Sequence, residues 1–179
     1  HGLGDRGACA IAHGLAAGST CNLRSLALEE EGIGEAGITA IAAALSPRGA
    51  RGPALALLEK LSLRGNPVST PGAGALARAL HLNTTLERLD LSSCSLSGLG
   101  AARLAEALPH NCTLLELRLV RNGIPVVGAI ALASGLLHNE GLESLQLGAN
   151  PCGSEGWLGF PLPDGRPSRV AGLVQAISS

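Results

Sequence analysis

The sequence contains almost no aromatic side chains, with one Trp, one Phe and no Tyr in 179 residues, and it contains no Met. Its core must therefore be built from aliphatic residues. Charged residues make up only 15% of the chain, and 13 basic against 14 acidic residues give a net charge of −1. This balance argues against nucleic acid and anionic membranes as partners, because both attract excess positive charge. No uninterrupted apolar run reaches the roughly 18 residues that a membrane-spanning helix needs.

The cysteines are few and scattered, and no two of them form a CxxC pair: Cys9, Cys21, Cys94, Cys112 and Cys152. An odd number at such spacing argues against a disulfide framework and against a zinc site. We predict that all five are reduced, as in a protein of the cytoplasm. A hydrophobic fraction of 46% predicts one folded domain over residues 1–179. Because the chain begins at His1 and lacks Met, we expect it to be part of a longer protein.

A leucine motif, Leu-x-x-Leu-x-Leu, occurs five times along the chain. Its first residues are separated by 35, 28, 28 and 28 positions and are Leu23, Leu58, Leu86, Leu114 and Leu142. A fixed period in this range predicts a solenoid, in which each repeat buries its apolar face against its neighbours. We therefore predict repeats that start near these five residues, preceded by a partial repeat over residues 1–22.

Each repeat is predicted to contain a short strand and a helix. The end of the leucine motif has the period of two that is typical of a strand with one buried face. It predicts strands near residues 25–29, 60–64, 88–92, 116–120 and 144–148. A glycine follows nine residues after the third leucine, and an alanine-rich segment with leucines four residues apart then predicts a helix.

Polar residues recur between strand and helix. The position eight residues after the first leucine holds Glu31 in the first repeat and then Asn66, Cys94, Asn122 and Asn150. A buried Asn there can satisfy backbone groups of neighbouring turns. We predict that these residues form a ladder and that Cys94 packs inside it.

Over residues 7–156 this whole pattern resembles the leucine-rich repeat family, in its ribonuclease-inhibitor-like subclass. The resemblance implies an α/β fold, a right-handed β-α solenoid that forms part of a horseshoe. Parallel strands would line its concave face and helices its convex face. Glu31 departs from the family pattern, which predicts a less regular first turn.

Two insertions break the period of the repeats. The first lies around residues 46–53 and has the composition of a loop. The second follows Gly156 and contains both aromatic residues, Trp157 and Phe160. We predict that residues 157–179 form a cap that covers the last leucine layer and ends in a helix. The alternative is an exposed apolar loop that binds a partner.

Two N-glycosylation motifs occur at equivalent positions of adjacent repeats, at Asn83 and Asn111, and Asn139 holds this position in the next repeat. They indicate either glycan acceptors or a helix-to-strand turn that favours Asn, and the shared register favours the turn. His110 and His138 are also equivalent, and we expect them to be solvated.

The sequence contains no recognisable catalytic arrangement. There is no nucleophile elbow, no phosphate-binding glycine loop and no pair of histidines at metal-ligand spacing. We therefore predict that the protein is not an enzyme and uses no cofactor, metal or small-molecule substrate.

A charged stripe is the candidate binding site. Strand residues between the leucines point away from the core and form columns on the concave face. The central columns carry the residues that we predict to bind a protein partner, which are Lys60, Arg64, Arg88, Asp90, Glu116 and Arg118. Mixed charge suits a protein surface better than a phosphate backbone. The alternative is a solvated face whose ion pairs contribute little.

Taken together, the sequence predicts a non-enzymatic, intracellular module or scaffold that binds a protein partner through its concave face. Proteins of the family that it resembles act as inhibitors, immune-receptor sensor domains, GTPase activators and scaffolds. Two alternatives therefore stay open. One is a regulator of a GTPase similar to the Ran GTPase-activating protein, or an immune-receptor-type sensor. The other is a structural spacer in a cytoskeletal or ciliary assembly.

Overall fold

Helices and strands alternate along the chain. The computed structural model describes residues 2–17, 22–46 and 57–152. In these ranges the helices are α1 (Gly4–Ala17), α2 (Glu35–Leu45), α3 (Thr70–Leu82), α4 (Ser97–Ala105) and α5 (Val126–Leu136). The strands are β1 (Ser25–Ala27), β2 (Lys60–Ser62), β3 (Arg88–Asp90), β4 (Glu116–Arg118) and β5 (Ser144–Gln146). A 3-10 turn, Leu108–His110, follows α4.

All five strands belong to one parallel sheet in the order β1-β2-β3-β4-β5. The pairing aligns the same leucine of every repeat, namely Leu26, Leu61, Leu89, Leu117 and Leu145. Parallel pairing in this register confirms the predicted α/β solenoid.

The strands begin at the predicted residues but end two residues earlier than predicted. Two residues after the third leucine, the backbone of every repeat adopts a positive φ. These residues are Glu30 (57°), Gly65 (73°), Ser93 (57°), Arg121 (56°) and Ala149 (55°). A positive φ is incompatible with an extended strand. The chain therefore leaves the sheet as soon as its last leucine is buried.

The core lies between the sheet and the helices. The nine motif leucines of the repeats that contain β2, β3 and β4 are each at most 2% exposed. The predicted helical pairs Leu76/Leu80, Leu104/Leu108 and Leu132/Leu136 are buried against them. Each buried leucine stabilises the fold by about 2 kcal/mol relative to an exposed one. Stacked layers of leucine thus supply the buried apolar area that aromatic residues provide in many other proteins.

Local residues define where the helices begin and how closely they pack. The hydroxyl of Ser69 accepts a hydrogen bond from the N–H of Gly72 at 3.2 Å, which caps the N-terminus of α3. In α5, a Cβ added at Gly128 would lie 2.9 Å from the Cα of Gly98. Glycine at this position therefore allows α5 to approach the backbone of the preceding repeat closely.

Several predictions concern residues outside the described ranges. They include the loop beyond residue 46, the cap over residues 157–179 with Trp157 and Phe160, and the redox state of Cys21. Within the described ranges, no helix combines the length and apolarity required to cross a bilayer.

Candidate functional site

The register of the sheet brings the predicted charged residues into adjacent positions. Lys60, Arg88 and Glu116 are aligned on neighbouring strands, as are Asp90 and Arg118. Neighbouring strands lie about 4.8 Å apart, so these side chains are within reach of one another. Five of the six predicted residues line one open groove of about 290 Å³ on the concave face, and these are Lys60, Arg88, Asp90, Glu116 and Arg118.

Glu116 organises the centre of this groove. Its carboxylate accepts a hydrogen bond from Nε of Arg118 at 2.7 Å and lies 3.8 Å from Nε of Arg88. It also accepts a hydrogen bond from the amide of Gln146 at 3.1 Å. The side chain of Glu116 is 19% exposed, whereas both arginine side chains are 47% exposed. The hydrogen bond to Glu116 raises the pKa of Arg118, so its guanidinium stays charged.

The other carboxylates of the groove are also engaged. Asp90 accepts a hydrogen bond from the backbone N–H of Ser92 at 2.8 Å. Glu29 accepts one from the hydroxyl of Ser62 at 2.7 Å. Lys60 forms no salt bridge within the described ranges. The groove therefore retains donor capacity on Lys60 and on the arginines, each of which has five N–H donors.

The predicted set and the residues around the observed groove are not identical. Arg64 is exposed in the turn after β2 and does not line the groove. Glu29 and Gln146 take part in its hydrogen bonds but were not among the predicted site residues. The signal for both was present, because they occupy outward-facing positions of the same columns as the central residues.

A ladder of asparagine side chains supports the groove from behind, where each strand ends. We call Asn66, Cys94, Asn122 and Asn150 the strand-exit ladder. The amide oxygen of Asn122 accepts hydrogen bonds from the backbone N–H groups of Cys94 (2.9 Å) and Leu96 (3.2 Å) in the preceding repeat. Its amide nitrogen donates to the carbonyl of Leu91 at 2.7 Å. Each Asn thus ties one strand-to-helix turn to the previous one, as predicted.

Cys94 lies inside this ladder, which confirms its predicted position. Its thiol donates to the carbonyl of Leu63 at 3.2 Å, as the amide of an Asn would. A thiol cannot replace the amide oxygen, and the N–H of Val68 bonds instead to the backbone carbonyl of Cys94 at 2.9 Å. Burial raises the pKa of the Cys94 thiol to about 11. Cys9, Cys94 and Cys112 form no disulfide bond within the described ranges.

The first turn is more regular than Glu31 led us to predict. The carboxylate of Glu31 accepts a hydrogen bond from the backbone N–H of Leu3 at 2.9 Å, 28 residues earlier. This is the same repeat spacing over which Asn122 accepts from Cys94. The longer side chain of Glu therefore performs the acceptor role of the missing Asn.

A second ladder lies where each helix ends. We call Asn83, Asn111 and Asn139 the helix-exit ladder. The amide oxygen of Asn111 accepts from the N–H groups of Thr113 (3.0 Å) and Leu114 (2.7 Å) in its own turn. Its amide nitrogen donates to the carbonyl of Leu80 at 2.6 Å, in the preceding repeat. Asn83 and Asn111 are 4% and 3% exposed, so in the folded chain both sequons serve as turns.

The histidines in the described part of the chain are not arranged as metal ligands. His110 and His138 are exposed, as predicted, and the ring of His110 stacks edge-on against that of His81 at 4.8 Å. No group of His, Cys, Asp and Glu residues within the described ranges is arranged to hold a metal ion.

A family model matches the central repeats of the chain. Residues 55–77, 82–105 and 110–133 match a family model described as Leucine Rich repeat. No curated protein shows significant sequence similarity to the chain. Among solved structures, the chain is similar to Leiomodin-1 Actin-Binding Site 2 (ABS2), with 22% identity and a TM-score of 0.44. That similarity covers 58% of this chain and 70% of the other. The three family matches are consecutive and follow the period of the leucine motif.

Proposed function

We propose, from the premise that residues 55–133 form consecutive leucine-rich repeats, that this chain is a protein-binding module of the ribonuclease-inhibitor-like subclass. The 28-residue period and the alternation of one strand and one helix per repeat support the subclass. In this proposal the module acts by binding and not by catalysis, in a reducing compartment, and its partner is a protein.

The observation that carries the proposal is the groove around Glu116. Three adjacent strands present Lys60, Arg88, Asp90 and Arg118 with Glu116 at one rigid surface. The carboxylates already accept hydrogen bonds from the chain itself, so most of the capacity that remains consists of N–H donors. Arginines that are held in position and half exposed make good anchors for a protein surface. We infer that these residues, flanked by Arg64 at the end of β2, contact the partner.

The experiment compares two charge-matched double variants of the full chain in affinity capture, with bound proteins identified by mass spectrometry. Arg88→Gln/Arg118→Gln removes both guanidinium groups of the groove, and Gln still offers a donor to Glu116. Arg6→Gln/Arg121→Gln removes two exposed charges elsewhere. A partner of the concave face should be retained at least ten-fold less by the first variant and normally by the second. Equal retention by both variants contradicts the proposal.

A partner identified in this way also separates the alternatives. If it is a GTPase, its hydrolysis rate with and without the chain distinguishes a regulator from a scaffold. Unequal capture accompanied by a fall of more than a few degrees in the melting temperature of the first variant would indicate misfolding and count against the assignment.

A further inference from the structure

One asparagine of the strand-exit ladder is followed by glycine. Asn122-Gly123 is the only Asn-Gly pair in the sequence. In an unfolded chain the backbone nitrogen that follows an Asn can attack the side-chain amide, and it does so fastest in glycine, because no Cβ hinders the approach. Asn66 and Asn150 of the same ladder are followed by proline, whose nitrogen carries no hydrogen and cannot react in this way. Asn122 is therefore the reactive member of the strand-exit ladder.

In the folded chain the side chain of Asn122 is held away from this reaction. Its amide oxygen accepts hydrogen bonds from the N–H groups of Cys94 and Leu96. Its amide nitrogen donates to the carbonyls of Leu91 at 2.7 Å and Val120 at 3.4 Å. The residue is only 2% exposed, so water has little access to it. The amide carbon must rotate away from all these partners to reach the nitrogen that follows it, which costs free energy.

The backbone of the reactive pair is fixed as well. The amide oxygen of Asn150 accepts hydrogen bonds from the N–H groups of Asn122 at 2.7 Å and Ile124 at 3.1 Å, the two residues that flank Gly123. Side chain and backbone must therefore both leave their native positions before the attack can take place. Because a repeat array can open locally, this does not require the whole chain to unfold.

We propose that Asn122 is a deamidation site that reacts only when its turn opens, so that the chain retains a chemical record of its own unfolding. The backbone nitrogen of Gly123 loses its proton and forms a bond to the side-chain amide carbon of Asn122, and the amide nitrogen leaves as ammonia. Water then opens the resulting succinimide at either carbonyl, which leaves aspartate or isoaspartate at position 122. Water is the sole co-reactant.

The product does not fit the ladder. An ionised carboxylate has no N–H group to donate to the carbonyls of Leu91 and Val120, and it places a negative charge at a buried position. Isoaspartate also lengthens the main chain by one carbon atom within the turn. A chain that has deamidated while open therefore cannot regain its native stability, and unfolding becomes irreversible.

The rate of deamidation is measured in the full chain by peptide mapping with mass spectrometry, at neutral pH under reducing conditions. In guanidinium chloride we expect position 122 to react at least ten-fold faster than Asn66, Asn111 or Asn150. In the folded chain its reaction should be at least a hundred-fold slower. Gly123→Ala tests the chemistry in guanidinium chloride, where its effect on folding does not matter, and should slow the reaction at least ten-fold.

Matched variants test the link to the structure. Asn150→Ala removes the acceptor on either side of Gly123, so it should accelerate the reaction of the folded chain at least ten-fold and leave the rate in guanidinium chloride unchanged. The control, Asn66→Ala, removes an amide with the same role in a distant turn, where its oxygen accepts from the N–H groups of Glu31 and Ile33. It should leave the rate at position 122 within two-fold.

The product is tested separately from the rate. Asn122→Asp should lower the melting temperature, and the fraction of wild-type chains that refold after removal of guanidinium chloride should fall in step with deamidation at position 122. The proposal is wrong if folded and unfolded chains react at similar rates, or if another Asn of the two ladders reacts first in guanidinium chloride. It is also wrong if Asn66→Ala accelerates the reaction as much as Asn150→Ala, or if Asn122→Asp melts at the wild-type temperature.

Discussion

The two asparagine ladders use the same side chain in different ways. In the strand-exit ladder, the amide oxygen of Asn122 accepts N–H groups of the preceding repeat. In the helix-exit ladder, the amide oxygen of Asn111 accepts N–H groups of its own turn, and only the amide nitrogen reaches the preceding repeat. The amide oxygens of the strand-exit ladder therefore connect adjacent repeats. In the helix-exit ladder the amide oxygen closes the turn of its own repeat, and the amide nitrogen connects that turn to the preceding repeat.

This difference explains why one ladder contains a cysteine and the other does not. At position 94 the N–H of Val68 donates its hydrogen bond to the backbone carbonyl of Cys94. With an Asn at this position, the side-chain oxygen would accept that bond. The N–H of Asn66 bonds within its own turn, to the carbonyl of Leu63 at 3.2 Å. In the turn of Asn111, no backbone carbonyl is in a position to replace the side-chain oxygen. The donors there are the N–H groups of Thr113 and Leu114, only two and three residues after Asn111.

Replacing Asn by Cys in each ladder tests this difference, and the largest loss of stability is expected here. We expect Asn111→Cys to lower the free energy of unfolding by about 3 kcal/mol, since it leaves buried donors and carbonyls without partners. Asn122→Cys should cost about 1 kcal/mol, because a backbone carbonyl can substitute as it does at Cys94. Urea unfolding under reducing conditions measures both variants. Equal losses would show that the two ladders do not differ in this way.

Alkaline pH should destabilise the strand-exit ladder through its thiol. Burial raises the pKa of Cys94 from 9.0 to about 11, so above pH 9 the unfolded chain loses this proton while the folded chain keeps it. Unfolding then releases a proton, and stability falls as pH rises from 9 to 11, by about 2–3 kcal/mol at pH 11.

The chain suits this measurement because it contains no Tyr and only one Lys. Cys94→Asn removes the thiol and restores a ladder amide, and its stability should change much less between pH 9 and 11. A wild-type profile as flat as that of Cys94→Asn would contradict the assignment of the buried thiol.

The smallest effect concerns the turn that the strand-exit ladder closes. Arg121 adopts a φ of 56°, a conformation that costs a residue with a Cβ about 1–2 kcal/mol. Arg121→Gly should therefore stabilise the fold by about 0.5–1 kcal/mol, after the greater flexibility of glycine in the unfolded chain is subtracted. Thermal unfolding provides the measurement. Gly123→Ala in the same turn is the opposing control, since Gly123 has a φ of 65° and open space around its Cβ position. It should be destabilising.

Much of the fold follows from the spacing of leucines alone. A constant period aligns equivalent residues on adjacent strands, so the starts of all five strands, the core and the position of Cys94 could be predicted from residue numbers. The ends of the strands could not, because Glu30, Ser93, Arg121 and Ala149 are not residues that indicate a positive φ. Each of them directly precedes a residue of the strand-exit ladder or, in the first repeat, Glu31.

The candidate site was predictable only in part. The concave columns follow from the alternation of a strand, which placed Arg88, Asp90, Glu116 and Arg118 together. The bonds that Glu116 makes with Arg88 and Gln146 depend on side-chain conformations across three strands.

The burial of Asn83 and Asn111 has a consequence for how such a chain can be processed. Their amide nitrogens donate to the carbonyls of Leu45 and Leu80, and these are the atoms to which an N-linked sugar would be attached. A glycan added during synthesis would replace one of the two N–H groups of each amide and force bulk between stacked repeats. Glycosylation at these sequons and completion of the fold are therefore mutually exclusive events.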